Sequence, residues 1–188
     1  MSMKKLILAS SSPRRKEIMK ELGFEFEVVP SGFEEDNSKY SDPYQLVQDF
    51  SVQKAGEVLN RFPEAIVIGS DVVGLNADGE ILSKPKDRDD AYRIIKSIQG
   101  RWVKVIAGLA VLQGDDIQVG FEEATVYFKP MTDEDIAGYV DAPDADWHGS
   151  AGAFKIKGKA GEWIEKVEGR VDVVQGFPVE LLDRFLQA

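Results

Sequence analysis

A short apolar segment that runs directly into a serine-rich turn constrains the fold of this chain more than any other stretch. Residues 6–9 have the pattern of a buried strand, and three serines follow at positions 10–12. Pro13 stands where the first residue of a helix is expected, because its missing N–H costs nothing there, and Ser12 is the expected N-cap. The sequence therefore predicts a strand, a tight turn and a helix that begins above the end of the strand.

The same turn carries groups that bind anions. The N-terminus of a helix directs backbone N–H groups and a positive dipole end at a ligand. Ser10 and Ser12 add hydroxyls, and Arg14 and Arg15 add guanidinium groups that suit phosphate oxygens. This cluster predicts a polyphosphate site. The alternative is an ordinary capped helix with two solvated arginines, and the spacing alone does not decide between them.

Periodicity along the rest of the chain predicts an α/β fold, with a mixed, largely twisted sheet flanked by helices. A hairpin signal joins two long strand-like runs through Gly114. A Gly-rich stretch at 149–161 is expected to form loop and short strand. No repeat or linker interrupts residues 1–188, so we expect a single domain, with two lobes around a cleft. Helices are predicted at 13–22, 43–61, 87–98, 132–140 and 178–186, and strands at 24–30, 65–73, 80–82, 102–112 and 117–128.

Composition excludes several classes of protein. The formal net charge of −10 argues against a general nucleic-acid binder, because no broad basic face is supplied. The chain has no cysteine, which excludes disulfides and thiolate chemistry. No segment approaches the length of a membrane span, so no membrane partner is expected and the protein is predicted to be cytoplasmic.

Four further side chains stand where charge has a chemical use or a structural cost. Asp71 follows an apolar strand, so its carboxylate must be paired, hydrogen-bonded or bound to a cation. It is either a metal ligand or general base, or else a cap. Glu35 lies beside Glu34 in an acidic loop, and this pair is solvated unless the loop folds back over the serine turn. Lys54 is either a ligand or a surface lysine on its helix. Lys84 is held extended by the following proline. None of these is specific alone.

Taken together and in this order, the segments resemble the Maf family of nucleoside triphosphate pyrophosphatases. The resemblance covers nearly the whole chain and depends on several separated motifs. They are Leu8-Ala9-Ser10-Ser11-Ser12-Pro13-Arg14-Arg15, Glu35, Gln53-Lys54-Ala55, Gly69-Ser70-Asp71, Leu82-Ser83-Lys84-Pro85, Ala151-Gly152-Ala153-Phe154 and Gly176-Phe177-Pro178.

The resemblance implies a nucleotide-binding cleft and hydrolysis of a nucleoside triphosphate to the monophosphate and pyrophosphate, assisted by Mg²⁺ or Mn²⁺. It implies that Glu35 and Asp71 hold the metal, that Asp71 activates water, and that the remaining residues bind the triphosphate or neutralise its charge. The family also implies removal of unwanted nucleotides before they enter nucleic acids, a link to cell division, and a homodimer. A non-catalytic, nucleotide-binding regulator of septum formation is the alternative. The remaining residues, which the resemblance implies bind the triphosphate or neutralise its charge, are Ser10, Ser12, Arg14, Arg15, Lys54 and Lys84.

The resemblance leaves the base open. The branch that cleaves dTTP and UTP carries Thr, His and Gln at the positions of Val72, Val103 and Lys157 here. Lysine can only donate hydrogen bonds, whereas an amide also accepts them. The Phe154-Lys155 step and the missing His are more similar to the branch that cleaves 7-methyl-GTP, but the chain lacks the Trp insertion of that branch. We therefore expect Val72 and Lys157 to contribute to base selection.

Overall fold

The computed structural model describes residues 4–187 and has the predicted mixed α/β architecture. Seven strands form one sheet in the order β2-β1-β3-β5-β6-β7, with β4 paired to β3. The strands are β1 Leu6–Leu8, β2 Glu27–Val28, β3 Ile66–Asn76, β4 Ile81–Leu82, β5 Trp102–Gln113, β6 Asp116–Phe128 and β7 Ile164–Glu168. The helices are α1 Pro13–Glu21, α2 Pro43–Arg61, α3 Arg88–Ile98, α4 Asp133–Val140, α5 Val171–Val174 and α6 Val179–Gln187.

Strand pairing explains why the sheet is mixed. β1 runs parallel to both β2 and β3, with Leu8 opposite Val28 on one side and Ile68 on the other. β3 then continues past the end of β1 and pairs antiparallel with β4. β6 and β7 are also antiparallel, with a register irregularity between Tyr127 and Phe128.

The chain forms two compact units. The first contains the chain up to Val72 together with Ala107–Glu122 and the chain from Gly176 onward, and the second contains Val73–Ile106 and Glu123–Gln175. Within residues 4–187, none of the helices has the length and apolar character needed to cross a membrane.

Alternation along the strands of the first unit produces two apolar clusters. Leu8 and Ile68 pack with Ile18 and Met19 of α1 and with the start of α6, whereas the neighbouring residues Ile7 and Val67 pack with α2. Successive side chains of a strand point to opposite faces, so one sheet can support helices on both sides. This arrangement places α1 and α2 on opposite faces of the sheet.

Two glycines let α2 approach the sheet closely. A Cβ atom at Gly69 of β3 would collide with the backbone of Ser51, and one at Gly108 of β5 would collide with the backbone of Val47. Both contacts are with main-chain atoms, which cannot move aside as the end of a flexible side chain can. The close approach brings Lys54 of α2 over β3.

In the second unit, α3 contacts α4 and the 3₁₀ turn at Ala151–Ala153. The buried face of α3 contains Ala91, Ile94, Ile95 and Ile98. Thr132 and Asp135 form a capping box at the start of α4, because each side chain bonds the backbone N–H of the other residue. The local signals of the sequence therefore fix where this helix begins.

Several predictions of local structure are wrong, and the predicted strand 24–30 is only the two residues of β2, Glu27–Val28. β3 ends at Asn76 and not at residue 73, because Gly74 and Leu75 continue the ladder with β4, so Asp71 lies in the middle of the strand and not near its end. The stretch 149–161 contains 3₁₀ turns, and the strand begins only at Ile164. The sequence predicted neither β7 nor the single turn of α5.

Candidate active site

A lysine that bonds two carboxylates is the centre of the candidate site in the first unit. The Nζ atom of Lys54 lies 2.6 Å from Asp71 Oδ1 and 2.8 Å from Glu35 Oε1. Asp71 and Lys54 are 6% and 8% exposed. Buried charges need partners, and each of these two has one of opposite sign. The structure thus brings together three residues that are separately ambiguous in the sequence.

The loop that carries Glu35 is held against α2 by aromatic side chains. Phe33 and Tyr40 each meet the ring of Phe50 edge-on, with centroid separations of 5.2 and 5.3 Å. The Lys54 ammonium lies 6.0 Å from the centroid of the same Phe50 ring. These three aromatic residues are not among the predicted site residues, although their positions on either side of the acidic loop were a usable signal. They explain how an exposed loop delivers Glu35 to a fixed point.

Arg15 is buried and does not extend into solvent. Its Nε donates to the carbonyl oxygen of Gly176 at 3.0 Å, and its Nη1 donates to the carbonyl of Ser70 at 2.6 Å. Burial lowers the pKa of Arg15, and the charges of Asp71 and Glu35 partly offset that effect. An arginine nevertheless keeps its proton at any ordinary pH.

These bonds make Arg15 a link between three parts of the first unit. The guanidinium joins α1 to the residue before Asp71 in β3 and to the segment that leads into α6. The sequence carried a signal for this placement, because Arg15 lies three and four residues before Ile18 and Met19 and so shares their buried helix face. The predicted contact between Arg15 and phosphate stays a prediction.

The serine turn has the predicted geometry. Ser12 is the N-cap of α1 and Pro13 is its first residue. The Ser10 hydroxyl oxygen accepts from Ser12 N–H at 3.1 Å and from Arg15 Nη1 at 3.4 Å. Arg14 differs from Arg15, because its guanidinium forms ion pairs within the helix, 3.0 Å from Glu17. Ser10 and Arg15 are therefore in direct contact, and Arg14 lies on a different face.

The carbonyl oxygen of Gly176 completes the hydrogen-bond network that contains Arg15 and Ser70. Its carbonyl accepts from Arg15 and lies 3.0 Å from the fully buried hydroxyl of Ser70. A side chain at Gly176 would crowd Val72 Cγ1, since a Cβ built there lies 2.8 Å from it. The predicted base-selecting residue Val72 therefore packs against the loop that precedes α6.

The remaining candidates belong to the second unit. Lys84 follows β4 and precedes Pro85, and Lys157 lies in the exposed turn between the two 3₁₀ segments. Val103 is fully buried in β5, and a Cβ at Gly74 would lie 3.2 Å from its Cγ1 atom. A valine there forms part of the core of this unit.

The two carboxylates of this site, Asp71 and Glu35, fit a divalent cation in one respect. Two carboxylates converge on a single positive charge, the ammonium of Lys54, at bonding distances. Carboxylate oxygens are the ligands that Mg²⁺ and Mn²⁺ prefer. Among residues 4–187, no group of three or more histidine, aspartate and glutamate side chains is arranged to hold a metal ion.

Comparison with known proteins identifies the family. The family described as Maf-like protein matches residues 5–188, which is nearly the whole chain. The chain belongs to the Maf-like family. The resemblance drawn from the separated motifs is confirmed by this match.

Maf-like relatives of this chain have names that refer to nucleotides. The chain is 39% identical over 181 residues to the dTTP/UTP pyrophosphatase of Thermoanaerobacter sp. (strain X514), with 95% of this chain and 93% of that protein covered. It is 34% identical over 185 residues to the dTTP/UTP pyrophosphatase of Pyrococcus furiosus, with 98% and 95% covered.

A solved structure shares the fold. The Staphylococcus aureus Ham1 protein matches with a TM-score of 0.57 over 98% of both chains, at 11% sequence identity. At that identity the match concerns the fold alone, and it agrees with the mixed α/β class predicted from the sequence.

Proposed function

We propose that this protein is a nucleoside triphosphate pyrophosphatase, which hydrolyses its substrate to the monophosphate and pyrophosphate. The observation that carries the proposal is the pair of carboxylates, Asp71 and Glu35, held together by Lys54 in the same unit as the serine turn. The names of Maf-like relatives at 34–39% identity support the same reaction. In the cytoplasm, such an enzyme would remove unwanted nucleotides before they enter nucleic acids.

The proposed chemistry assigns a task to each side chain. Asp71 accepts a proton from the water whose oxygen attacks the α-phosphorus. The bond between that phosphorus and the bridging oxygen to the β-phosphorus breaks, and pyrophosphate leaves. Lys54 holds both carboxylates at one point, and Lys84 adds positive charge that offsets the charge developing on the phosphates.

The serine turn would bind the phosphates. Ser10 Oγ uses its lone pairs to accept from Ser12 N–H and Arg15. Its O–H hydrogen can therefore be donated to a phosphate oxygen. Arg14 lies one residue into α1, where the helix dipole also favours an anion.

Asp71 and Glu35 would hold the divalent cation of this proposal. Mg²⁺ is commonly bound by one or two carboxylates together with substrate phosphates, which matches a site with two acidic side chains. When bound, Mg²⁺ or Mn²⁺ would polarise phosphoryl oxygens and lower the pKa of a bound water. A homodimer, expected from the family resemblance, stays a prediction.

The test is an incubation of the protein with Mg²⁺ or Mn²⁺ and a panel of nucleotides, with pyrophosphate and orthophosphate measured separately. The panel contains UTP, dTTP, CTP, ITP, 7-methyl-GTP and pseudouridine triphosphate. The relatives' names favour UTP and dTTP, whereas Val72 and Lys157 favour another base, so the ranking decides which signal governs selection.

Asp71→Asn and Asp115→Asn form the matched pair of variants. Asp115 lies exposed in the hairpin turn between β5 and β6. We expect Asp71→Asn to abolish turnover with the fold intact and Asp115→Asn to behave as wild type. Orthophosphate as the only product would refute the proposed bond cleavage. Tight nucleotide binding without any turnover would favour the non-catalytic regulator.

A further inference from the structure

A two-residue turn in the second unit adopts a conformation that side chains disfavour. Gly152 and Ala153 have φ values of 71° and 61°, and Ala153 is the only non-glycine residue with a positive φ within residues 4–187. A Cβ atom makes the left-handed region unfavourable, so alanine stays there only when its surroundings impose it. Ala153 is fully buried. The neighbours of this turn must therefore hold it.

Tyr139 of α4 is one of those neighbours. Its hydroxyl donates to the carbonyl oxygen of Ala153 at 2.9 Å. The side chain is buried, and its ring meets Trp163 edge-on with centroids 5.4 Å apart. Burial raises the pKa of Tyr139, so its hydroxyl remains a protonated donor through neutral pH. A fixed ring and a protonated hydroxyl give the Ala153 carbonyl one defined position.

The turn at Gly152 and Ala153 is also hydrogen-bonded to the segment that carries Lys84. The N–H of Gly152 donates to the carbonyl of Ser83 at 3.2 Å. Ser83 immediately precedes Lys84, and Pro85 restricts Lys84 to an extended backbone from the other side. The backbone of Lys84 is thus set by a proline on one side and by the Gly152 bond on the other.

We infer that Tyr139 is a positioning residue for nucleotide hydrolysis, whose hydroxyl stabilises the left-handed turn at Gly152 and Ala153 that anchors the Lys84 segment. This inference rests on the proposed function, because it concerns the lysine to which charge neutralisation is assigned there. Small displacements of such a group are costly, since about 1 Å of misplacement can reduce the rate roughly 100-fold. Tyr139 itself need not touch the substrate.

The experiment compares Tyr139→Phe with Tyr127→Phe. Tyr127 is a half-buried tyrosine of the same unit whose hydroxyl donates to Glu168 at 2.8 Å, so its variant also removes one hydroxyl and one hydrogen bond. Two properties are measured: the steady-state kinetics, as kcat and KM, and the hydrogen exchange of the Gly152 amide by NMR. We expect Tyr139→Phe to lower kcat about 10-fold with KM within about 2-fold, and to speed Gly152 exchange. Tyr127→Phe should change neither quantity.

A second variant tests whether the left-handed turn is the connecting element. Glycine enters the left-handed region without a Cβ penalty, so Ala153→Gly should let the turn form without help from the hydroxyl. The double variant Tyr139→Phe/Ala153→Gly should therefore recover part of the lost kcat even though a buried methyl group is missing. A purely structural role of Tyr139 would give no such recovery.

Several results would overturn the inference. A folded Tyr139→Phe with wild-type kcat or with wild-type Gly152 exchange would do so, as would a double variant no faster than Tyr139→Phe. Failure of the proposed function is distinguishable from these results. A wild-type protein that hydrolyses no nucleotide would refute the function, and Gly152 exchange would still decide whether Tyr139 holds the turn.

Discussion

Replacing Arg15 with lysine keeps the positive charge and removes the planar fork of donors. In the structure, Nε and Nη1 serve two carbonyls at once, those of Gly176 and Ser70. A lysine ammonium is a compact donor on a shorter, unforked side chain, so it can serve one of them. The variant leaves a buried carbonyl without its charged donor.

The size of the effect follows from that lost bond. A hydrogen bond from a charged donor contributes about 1.5–3 kcal/mol to the free energy of unfolding. For a chain of 150–250 residues, each kcal/mol shifts the melting temperature by about 2–4 °C. We therefore expect Arg15→Lys to melt roughly 3–12 °C below wild type.

Differential scanning calorimetry of Arg15→Lys beside Arg14→Lys measures this difference. Arg14 is the matched control, since its ion pair with Glu17 is on the helix surface and such pairs contribute about 0.3–0.5 kcal/mol. We expect the Arg14 variant to melt within about 2 °C of wild type. Nucleotide affinity of both variants is measured by isothermal titration.

One combination of results would refute the reasoning. If Arg15→Lys melted like wild type and bound nucleotide more weakly than Arg14→Lys, then Arg15 would be a phosphate ligand and not an internal link. That outcome would favour the simpler expectation from the sequence, in which both arginines face the substrate.

Three further perturbations follow from the structure. Gly69→Ala should destabilise the fold by about 2 kcal/mol or more in chemical denaturation, because its Cβ would meet the backbone of Ser51; an unchanged midpoint would mean that α2 shifts freely. Lys54→Met should abolish turnover, measured as pyrophosphate release, because it removes the ammonium that holds both carboxylates at one point; a Lys54→Met variant with wild-type turnover would refute that role. The guanidinium of Arg88 lowers the pKa of Asp141, so this stabilisation is present above the unfolded pKa of about 3.9 and is lost as the pH falls through the lower folded pKa. Stability measured against pH should consequently decline less steeply below about pH 4 in Asp141→Asn.

Features that depend on neighbouring residues could be predicted from the sequence. Ser12, Asp42 and Thr132 are N-caps as their local patterns indicate, and the β5–β6 hairpin turns at Gly114 with a φ of 58°. In each case the decisive interaction joins residues at most three positions apart. Such signals survive in almost any tertiary context.

Features that depend on distant partners could not be predicted in this way. The predicted strand 65–73 already passes Asp71, but nothing in the sequence reveals that β3 continues to Asn76, because this extension depends on pairing with β4. β7 lacks a clean alternation of apolar and polar residues, and its pairing with β6 is irregular at Phe128. The ion pairs of Lys54 with Asp71 and Glu35 likewise form only when the acidic loop and α2 are folded. The sequence alone therefore left the roles of these three residues open.

The bond between Arg15 and Gly176 has a consequence for how the protein is made. The two residues are 161 positions apart. At about 5–20 residues per second, a ribosome needs roughly 8–32 s to synthesise the intervening chain. During that interval, α1, β1 and α2 can associate, but the guanidinium that should be buried has no Gly176 carbonyl to bind. The first unit therefore stays incomplete while the chain between Arg15 and Gly176 is synthesised. We expect chaperones to bind the nascent chain mainly in this period.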